Sequence, residues 1–366
     1  MKSFKDTLHQ YRPLKPEASQ QFNQIRGFST VMVVLCHAYL LFLYPIYPTI
    51  MLPIYLLAHA CVMVLFALSG FLICQSACNN IQHNGQFIIQ KYAVSRINRI
   101  VPPLYFACAF LLLLYWLSPF VFTNGNREFI HISNTMSQAN MSLSIESLLG
   151  VLFFVNGFIT ETPASNFAFW SLSFEAWFYI LFGLLLLPNR KWGIILAMLC
   201  LIVLSTLNYV FLLYICIWIA GAISALLYNH QYRLTLKQIV AVIISITLIL
   251  ICSAYFGLIA FKDFLDTQKF MLAIYGTWVG ILLAIMLYLI STQSIRVRLP
   301  LQFVASSSYT VYLLHFPLLL FIYGIIQPYI YGNHWLLIII TLVMAILVIT
   351  VGMFIGKYAE KLRLIS

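Results

Sequence analysis

Apolar runs of seventeen or more residues, separated by short polar or charged stretches, recur from one end of the chain to the other. Each is long enough to cross about 30 Å of hydrocarbon as an α-helix. A transmembrane barrel would instead show short segments alternating apolar and polar positions. The pattern predicts an all-α polytopic membrane protein with about ten spans, at 27–44, 51–75, 100–122, 167–187, 193–208, 209–228, 237–259, 270–291, 300–326 and 335–356. The two short neighbours around Asn208 are the least sharply bounded.

Charge orients these spans. With the N-terminus in the cytoplasm, Lys2, Lys5, Arg12, Lys15, Arg26, Lys91, Arg96, Arg99, Arg190, Lys191, Arg233, Lys237, Arg296, Arg298, Lys357, Lys361 and Arg363 fall inside. Only Arg127, Lys262 and Lys269 fall outside, so seventeen of the twenty basic residues are inside. That asymmetry predicts that both termini face the cytoplasm. The net charge of +11 is then explained by topology, a basic inner rim facing anionic lipid headgroups, without nucleic acid. Composition agrees: 63% hydrophobic and 8% charged residues, against about 25% charged in soluble proteins. No short apolar core with a small-residue cleavage site stands near Met1, so the first span is expected to direct insertion into the cytoplasmic (inner) membrane.

The chain is expected to form one membrane domain over 1–366, with a cytoplasmic segment at 1–26 and no fused soluble domain or internal repeat. Two loops stand out. The inner one, Gln75 to Arg99, ends in basic residues; the outer one, 123–166, is rich in Ser and Asn and carries Glu128, Glu146 and Glu161 against Arg127, so it can face a polar substrate. Within the outer loop, Ser142 to Ile159 reads as a capped helix lying on or re-entering the membrane. The eight cysteines all lie in or at the ends of spans; Cys74 and Cys78 are one turn apart but have no further ligands at metal spacing, so all are read as packing residues and no metal is expected.

Polar residues inside spans carry the chemistry. Arg26 and His37 are eleven residues apart, about 1100° of helix and about 16 Å of rise, so they share one face with the arginine at the membrane edge and the imidazole near mid-bilayer. An ionisable group at that depth is a functional site by default, although an anchor arginine and a histidine bonded to a backbone carbonyl would be the structural alternative. Glu175, in the segment Trp170 to Tyr179 with Ser173, lies about 12 Å into the fourth span and needs a partner, either a structural ion pair or a facing histidine or arginine. Ser308, Tyr312 and His315 fall on one face of the ninth span, with His315 about 22 Å from Pro300 and within possible approach of Glu175 and His37. Arg96 and Arg99 share a face before Pro102 and Pro103; a doubled arginine suits bidentate phosphate recognition and also serves as a topological anchor. His59 reads equally as a pore-lining or a packing residue.

In order along the chain, Arg26 with His37 as R-x10-H, Phe66 to Ile73, Arg96-Ile97-Asn98-Arg99 as R-x-x-R, Trp170 to Tyr179, and Ser308 to Pro317 resemble the acyltransferase family 3 integral-membrane acyltransferases. The resemblance implies an acyl-CoA donor, commonly acetyl-CoA, taken from the cytoplasm, and transfer to a hydroxyl of an extracytoplasmic glycan such as lipopolysaccharide O-antigen, capsule or exopolysaccharide. It assigns function to Arg26 and His37 and acyl-CoA use to Arg96 and Arg99. Family aspartates are replaced by Asn23 and Met63 here, so neither position is given catalytic work. Many relatives carry a fused esterase-like domain; without one, this chain is expected to deliver the acyl group directly or through a separate periplasmic partner.

The sequence thus yields a working scheme: donor phosphates near Arg96, Arg99 and Arg26, His37 as general base or transient acyl carrier, Glu175 or His315 orienting it, and Trp170, Ser173, Ser308 and Tyr312 lining the substrate pocket. Its rivals are a proton-coupled transporter or lipid-linked sugar flippase, which also uses intramembrane His and Glu, and a non-catalytic scaffold.

Overall fold

The computed structural model describes residues 8–129, 140–260, 264–330 and 334–365. Lys2, Lys5 and Lys262 of the charge pattern lie outside the described residues. The structure is all-α: helices α1 (Pro16–Ala38), α2 (Met51–Asn84), α3 (Ile89–Val121), α4 (Ile145–Leu152), α5 (Phe169–Leu185), α6 (Arg190–Leu207), α7 (Tyr209–Asn229), α8 (Leu236–Ala260), α9 (Phe264–Ser291), α10 (Ser308–Ile330) and α11 (His334–Ala359). Among the described residues nine helices are long and apolar enough to cross a membrane, and the shorter apolar α5 joins them. These ten match the ten expected spans one for one, and the protein is a multi-pass membrane protein. In hydrocarbon every backbone N–H and C=O must be bonded within the segment, which is why uninterrupted apolar runs become helices.

Several boundaries move. α1 begins at Pro16, whose fixed φ and missing N–H suit a first helical turn, so residues 16–26 of the expected N-terminal segment are helix. The expected inner loop from Gln75 to Arg99 is also mostly helix: α2 continues to Asn84 and α3 restarts at Ile89. Asn80 closes that short corner, its side chain bonding both the carbonyl and the amide of Ile88 at 3.1 and 3.0 Å. Of the helix expected over 142–159, the part that forms is α4, capped by Ser144, whose hydroxyl accepts from the Ser147 amide at 3.0 Å.

The chain divides into two compact units. The first comprises Met1–Phe22, Val62–Ala93 and Trp177–Arg298. Here α2 and α7 approach with glycine on both sides: a Cβ on Gly70 would stand 2.0 Å from the Trp218 carbonyl oxygen, and one on Gly221 would stand 2.0 Å from that of Ala67. Small residues that let backbones touch are the usual means of helix association in lipid, where burial of apolar surface gives no drive. The block Phe66 to Ile73 is therefore a packing motif, flanked by Phe66 edge-on to Phe178 and by Ser69 sharing a hydrogen bond with the Tyr179 hydroxyl at 3.0 Å. Gly221→Val forces α7 off α2, and the expected result is a loss of about 3 kcal/mol or more in stability, seen as sharply reduced folded protein by size-exclusion chromatography in detergent.

The second unit comprises Asn23–Cys61, Val94–Ala176 and Leu299–Ser366. Its core joins Val31, Val34, Ala38 and Phe42 of α1 and its continuation to Val311, Phe316, Leu319 and Tyr323 of α10 and to Leu337, Ala345 and Val348 of α11. Every functional side chain expected from the sequence lies in this unit.

Candidate active site

Arg26 and His37 stand on one uninterrupted helix, so the expected separation of about 16 Å along a common face holds. Directly after His37 the helix widens into a π-turn over Tyr39–Leu43, a distortion that recurs at functional sites.

The Arg26 end is built by close approach. A Cβ on Gly27 would lie 2.2 Å from the Leu301 carbonyl oxygen, so only glycine admits the segment that precedes α10. Leu301 itself takes the left-handed conformation, φ 74°, and opens a 3₁₀ turn over Gln302–Ser307. Between this turn and α1 lies a cavity of about 750 Å³ lined by Asn23, Gln24, Arg26, Gln302 and Ser306.

Glu360, just past α11, was not singled out in the sequence. Its carboxylate accepts from the Thr310 amide at 2.9 Å and the Thr310 hydroxyl at 3.1 Å, capping the first turn of α10, and it is within electrostatic range of Arg99 and Arg26. Burial raises its pKa above the ordinary carboxylate value, opposed by the Thr310 bonds and the two arginines. Of the arginine pair, Arg99 thus belongs to the Arg26 cluster, while Arg96 bonds the Ser95 hydroxyl at 2.7 Å. Asn98 between them holds the chain end: its side chain bonds the backbone of Leu364 and Ile365 at 2.6–3.0 Å.

The centre of the site is a histidine pair. His315 Nε2 lies 3.2 Å from His37 Nδ1, with the rings 5.1 Å apart. His315 Nδ1 also lies 2.5 Å from the Tyr312 carbonyl oxygen, and His37 Nδ1 lies 3.0 Å from that of Val33. Carbonyl oxygens only accept, so both Nδ1 atoms carry the proton; His315 Nε2 is then an acceptor for His37 Nδ1–H. This leaves the lone pair of His37 on Nε2. The two carbonyls and the two rings form one chain in which the tautomer of each imidazole is set by its neighbour.

The helix carrying His315 is steadied from outside. Pro317 has no N–H to give to the Leu313 carbonyl one turn back, and the side chain of Asn166 donates to that carbonyl instead, at 2.8 Å. Ser171 on α5 shares a 2.8 Å hydrogen bond with the Tyr312 hydroxyl. Phe316 sets its edge against His37 at 5.4 Å.

The remaining expected site residues divide. Tyr312 joins the His315 group through its carbonyl. Glu175 is half-buried and is an electrostatic neighbour of Tyr312, and of the two expected approaches of His315 the one to His37 is a direct contact. Ser308, buried with Tyr312 and His315 on the same helix, bonds the Ala305 carbonyl at 3.0 Å at the helix start. Ser173 bonds the Asn156 side chain, and Trp170 packs edge-on against Phe174 at 5.4 Å. Among the described residues no cluster of His, Cys, Asp and Glu is able to hold a metal ion.

A sequence profile of the acyltransferase-domain family matches residues 20–356, from before Arg26 to within four residues of Glu360. The chain belongs to acyltransferase family 3. No curated protein and no solved structure matches it. The matched region of the acyltransferase contains the whole histidine pair and the helices that support it.

Asn166, Ser171 and Glu360 were missed because each acts on a distant segment. Only Pro317 gave a signal, since a proline inside a helix announces a carbonyl in need of a donor. Glu360→Gln preserves volume but removes the charge beside the two arginines. It is expected to leave accumulation of the acyltransferase unchanged and to lower its activity about 10–100-fold. Activity of the unaltered protein should also fall as acidification protonates Glu360, with a midpoint above the ordinary glutamate value, and this limb should be missing from the pH profile of the glutamine variant.

Proposed function

We propose that this acyltransferase is an acyl-CoA-dependent O-acyltransferase of the cytoplasmic (inner) membrane, with acetyl as the acyl group, acting on a hydroxyl of a cell-surface glycan. The observation that carries the reading is the His37–His315 contact, which leaves His37 Nε2 as an unprotonated nitrogen inside a chain of this family. A relay for protons alone does not account for membership in an acyltransferase family.

In this reading the anionic part of acyl-CoA docks on the cytoplasmic side at Arg26 and Arg99, with Arg96 on the same helix, and the pantetheine arm runs up towards His37. His37 Nε2 removes the proton of the acceptor hydroxyl. The hydroxyl oxygen forms a bond to the thioester carbonyl carbon, the carbon–sulfur bond breaks, and the CoA thiolate recovers the proton from the imidazolium. While charged, His37 donates through Nδ1 to the His315 nitrogen and the Val33 carbonyl, two acceptors already in place. Preorganised acceptors of this kind lower the cost of forming the imidazolium, and Glu360 ties the donor arginines to the first turn of the His315 helix.

A deletion strain compared with its parent tests the reading in the cell. Mass spectrometry of the surface glycans is expected to show one ester group missing, restored by the intact gene and not by the His37→Ala variant. Identical ester content in deletion and parent strains overturns it.

A further inference from the structure

A second large cavity, of about 990 Å³, lies at the other end of the same unit and plays no part in the donor site. Tyr115, Arg127, Glu128, Ser142, Glu161 and Phe167 are among its lining residues. Tyr115 is sixteen residues beyond Arg99 on α3, about 24 Å along the helix. The cavity is nonetheless close to the histidines: Phe167 packs on Phe316 at 5.4 Å, and Phe316 packs on His37 at 5.4 Å. One aromatic contact therefore separates its floor from the ring that touches His37.

We infer that this cavity is the acceptor-sugar site and that it selects a non-acidic sugar over an acidic one; the sugar's being an acyl acceptor rests on the function proposed above. Its size is at the upper end of small-molecule sites, enough for a short oligosaccharide. Phe167 offers an aromatic ring for the apolar face of a pyranose, and Ser142, with Thr162, offers hydroxyls for the sugar's own. The charge balance decides the class. Among the described lining residues two carboxylates, Glu128 and Glu161, stand against one guanidinium, and that guanidinium is already engaged: Arg127 Cζ lies 4.1 Å over the Tyr115 ring and its Nε donates to the Tyr115 carbonyl at 3.1 Å. A uronic or sialic acid entering here meets net repulsion, the repulsive element that specificity requires, while an uncharged or amino-bearing sugar does not.

Saturation-transfer NMR on the purified full chain in detergent, without acyl donor, tests this with maltotriose, chitosan trimer and trigalacturonate as probes. The neutral and amino trisaccharides are expected to receive saturation about fivefold or more above the acidic one. Replacing both carboxylates, Glu128→Gln with Glu161→Gln, should bring the three within about twofold, because the repulsion is gone. Ser142→Trp, an exposed position able to accept the ring without refolding, should fill the cavity and remove the signal from all three. An acidic signal equal to or above the neutral one in the unaltered protein, or signals that survive Ser142→Trp, overturns the assignment. If acyl-CoA proves not to be consumed but this binding pattern holds, the sugar site stands and the acyl-transfer reading falls. If acyl transfer proceeds without the pattern, the cavity assignment falls alone.

Discussion

Alanine in place of His37 is expected to lower acyl transfer by about 10³-fold or more while the protein still inserts, accumulates and binds CoA. Removing a positioned base costs about 10²–10⁴ in rate, and no second nitrogen stands in the same place: the Nε2 of His315 lies on the Nδ1 side of the His37 ring, set back from the position of His37 Nε2, and the Nδ1 of His315 is committed to the Tyr312 carbonyl. Folding should survive, since alanine is the best helix former and α1 keeps its contacts through Val31, Val34 and Ala38. CoA binding should survive because Arg26 and Arg99 are untouched. Free-thiol release from acetyl-CoA in the presence of a glycan extract checks the first point, and CoA-dependent thermal stabilisation checks the second. Loss of both together would mean that His37 holds the bundle rather than the chemistry.

The second large effect is at His315. Leucine there removes one of the two acceptors for His37 Nδ1–H, leaves the Val33 carbonyl alone to hold the ring and its charged form, and is expected to reduce transfer about 10²–10³-fold. Glutamine carries an oxygen able to accept that proton, so His315→Gln should regain at least about tenfold over His315→Leu. A merely structural role predicts the reverse, because α10 around this residue is packed against apolar neighbours and leucine fills that space better than a polar amide. Catalytic rate and donor KM measured for both variants separate the cases: a positioning role lowers kcat and spares KM.

Much of this fold is legible from the spacing of apolar residues, because hydrocarbon allows few ways to satisfy a backbone. The ten predicted spans correspond to ten helices, and even the shortest, Phe169–Leu185, stands where it was expected. What was not legible is the helical nature of 76–84 and 89–99, whose polar sequences resemble a loop until Asn80 is seen closing the corner at Ile88. The shared face of Arg26 and His37 followed from helical geometry alone. Depth along the helices allowed His315 to approach His37, but the contact itself did not follow, since they are 278 residues apart and sequence gives depth without giving which faces oppose. The same reason hid Glu360, whose short apolar and basic surroundings read as a tail, and hid the exchange of partners between Pro317, Leu313 and Asn166. Conversely, Phe66 to Ile73 carried a family signal whose physical content is the Gly70–Trp218 approach and not chemistry.

The central claim is that His37, as general base, drives transfer of an acyl group from CoA to the hydroxyl of an acceptor sugar. Purified protein in nanodiscs, given acetyl-CoA labelled on the acetyl group and an isolated glycan acceptor, measures it directly. The account predicts that label appears on the glycan as an alkali-labile ester, with one free CoA released per ester, and that neither product forms with His37→Ala. Label remaining on CoA while the glycan or its lipid carrier crosses the bilayer would contradict it, as would full ester formation by the His37→Ala protein.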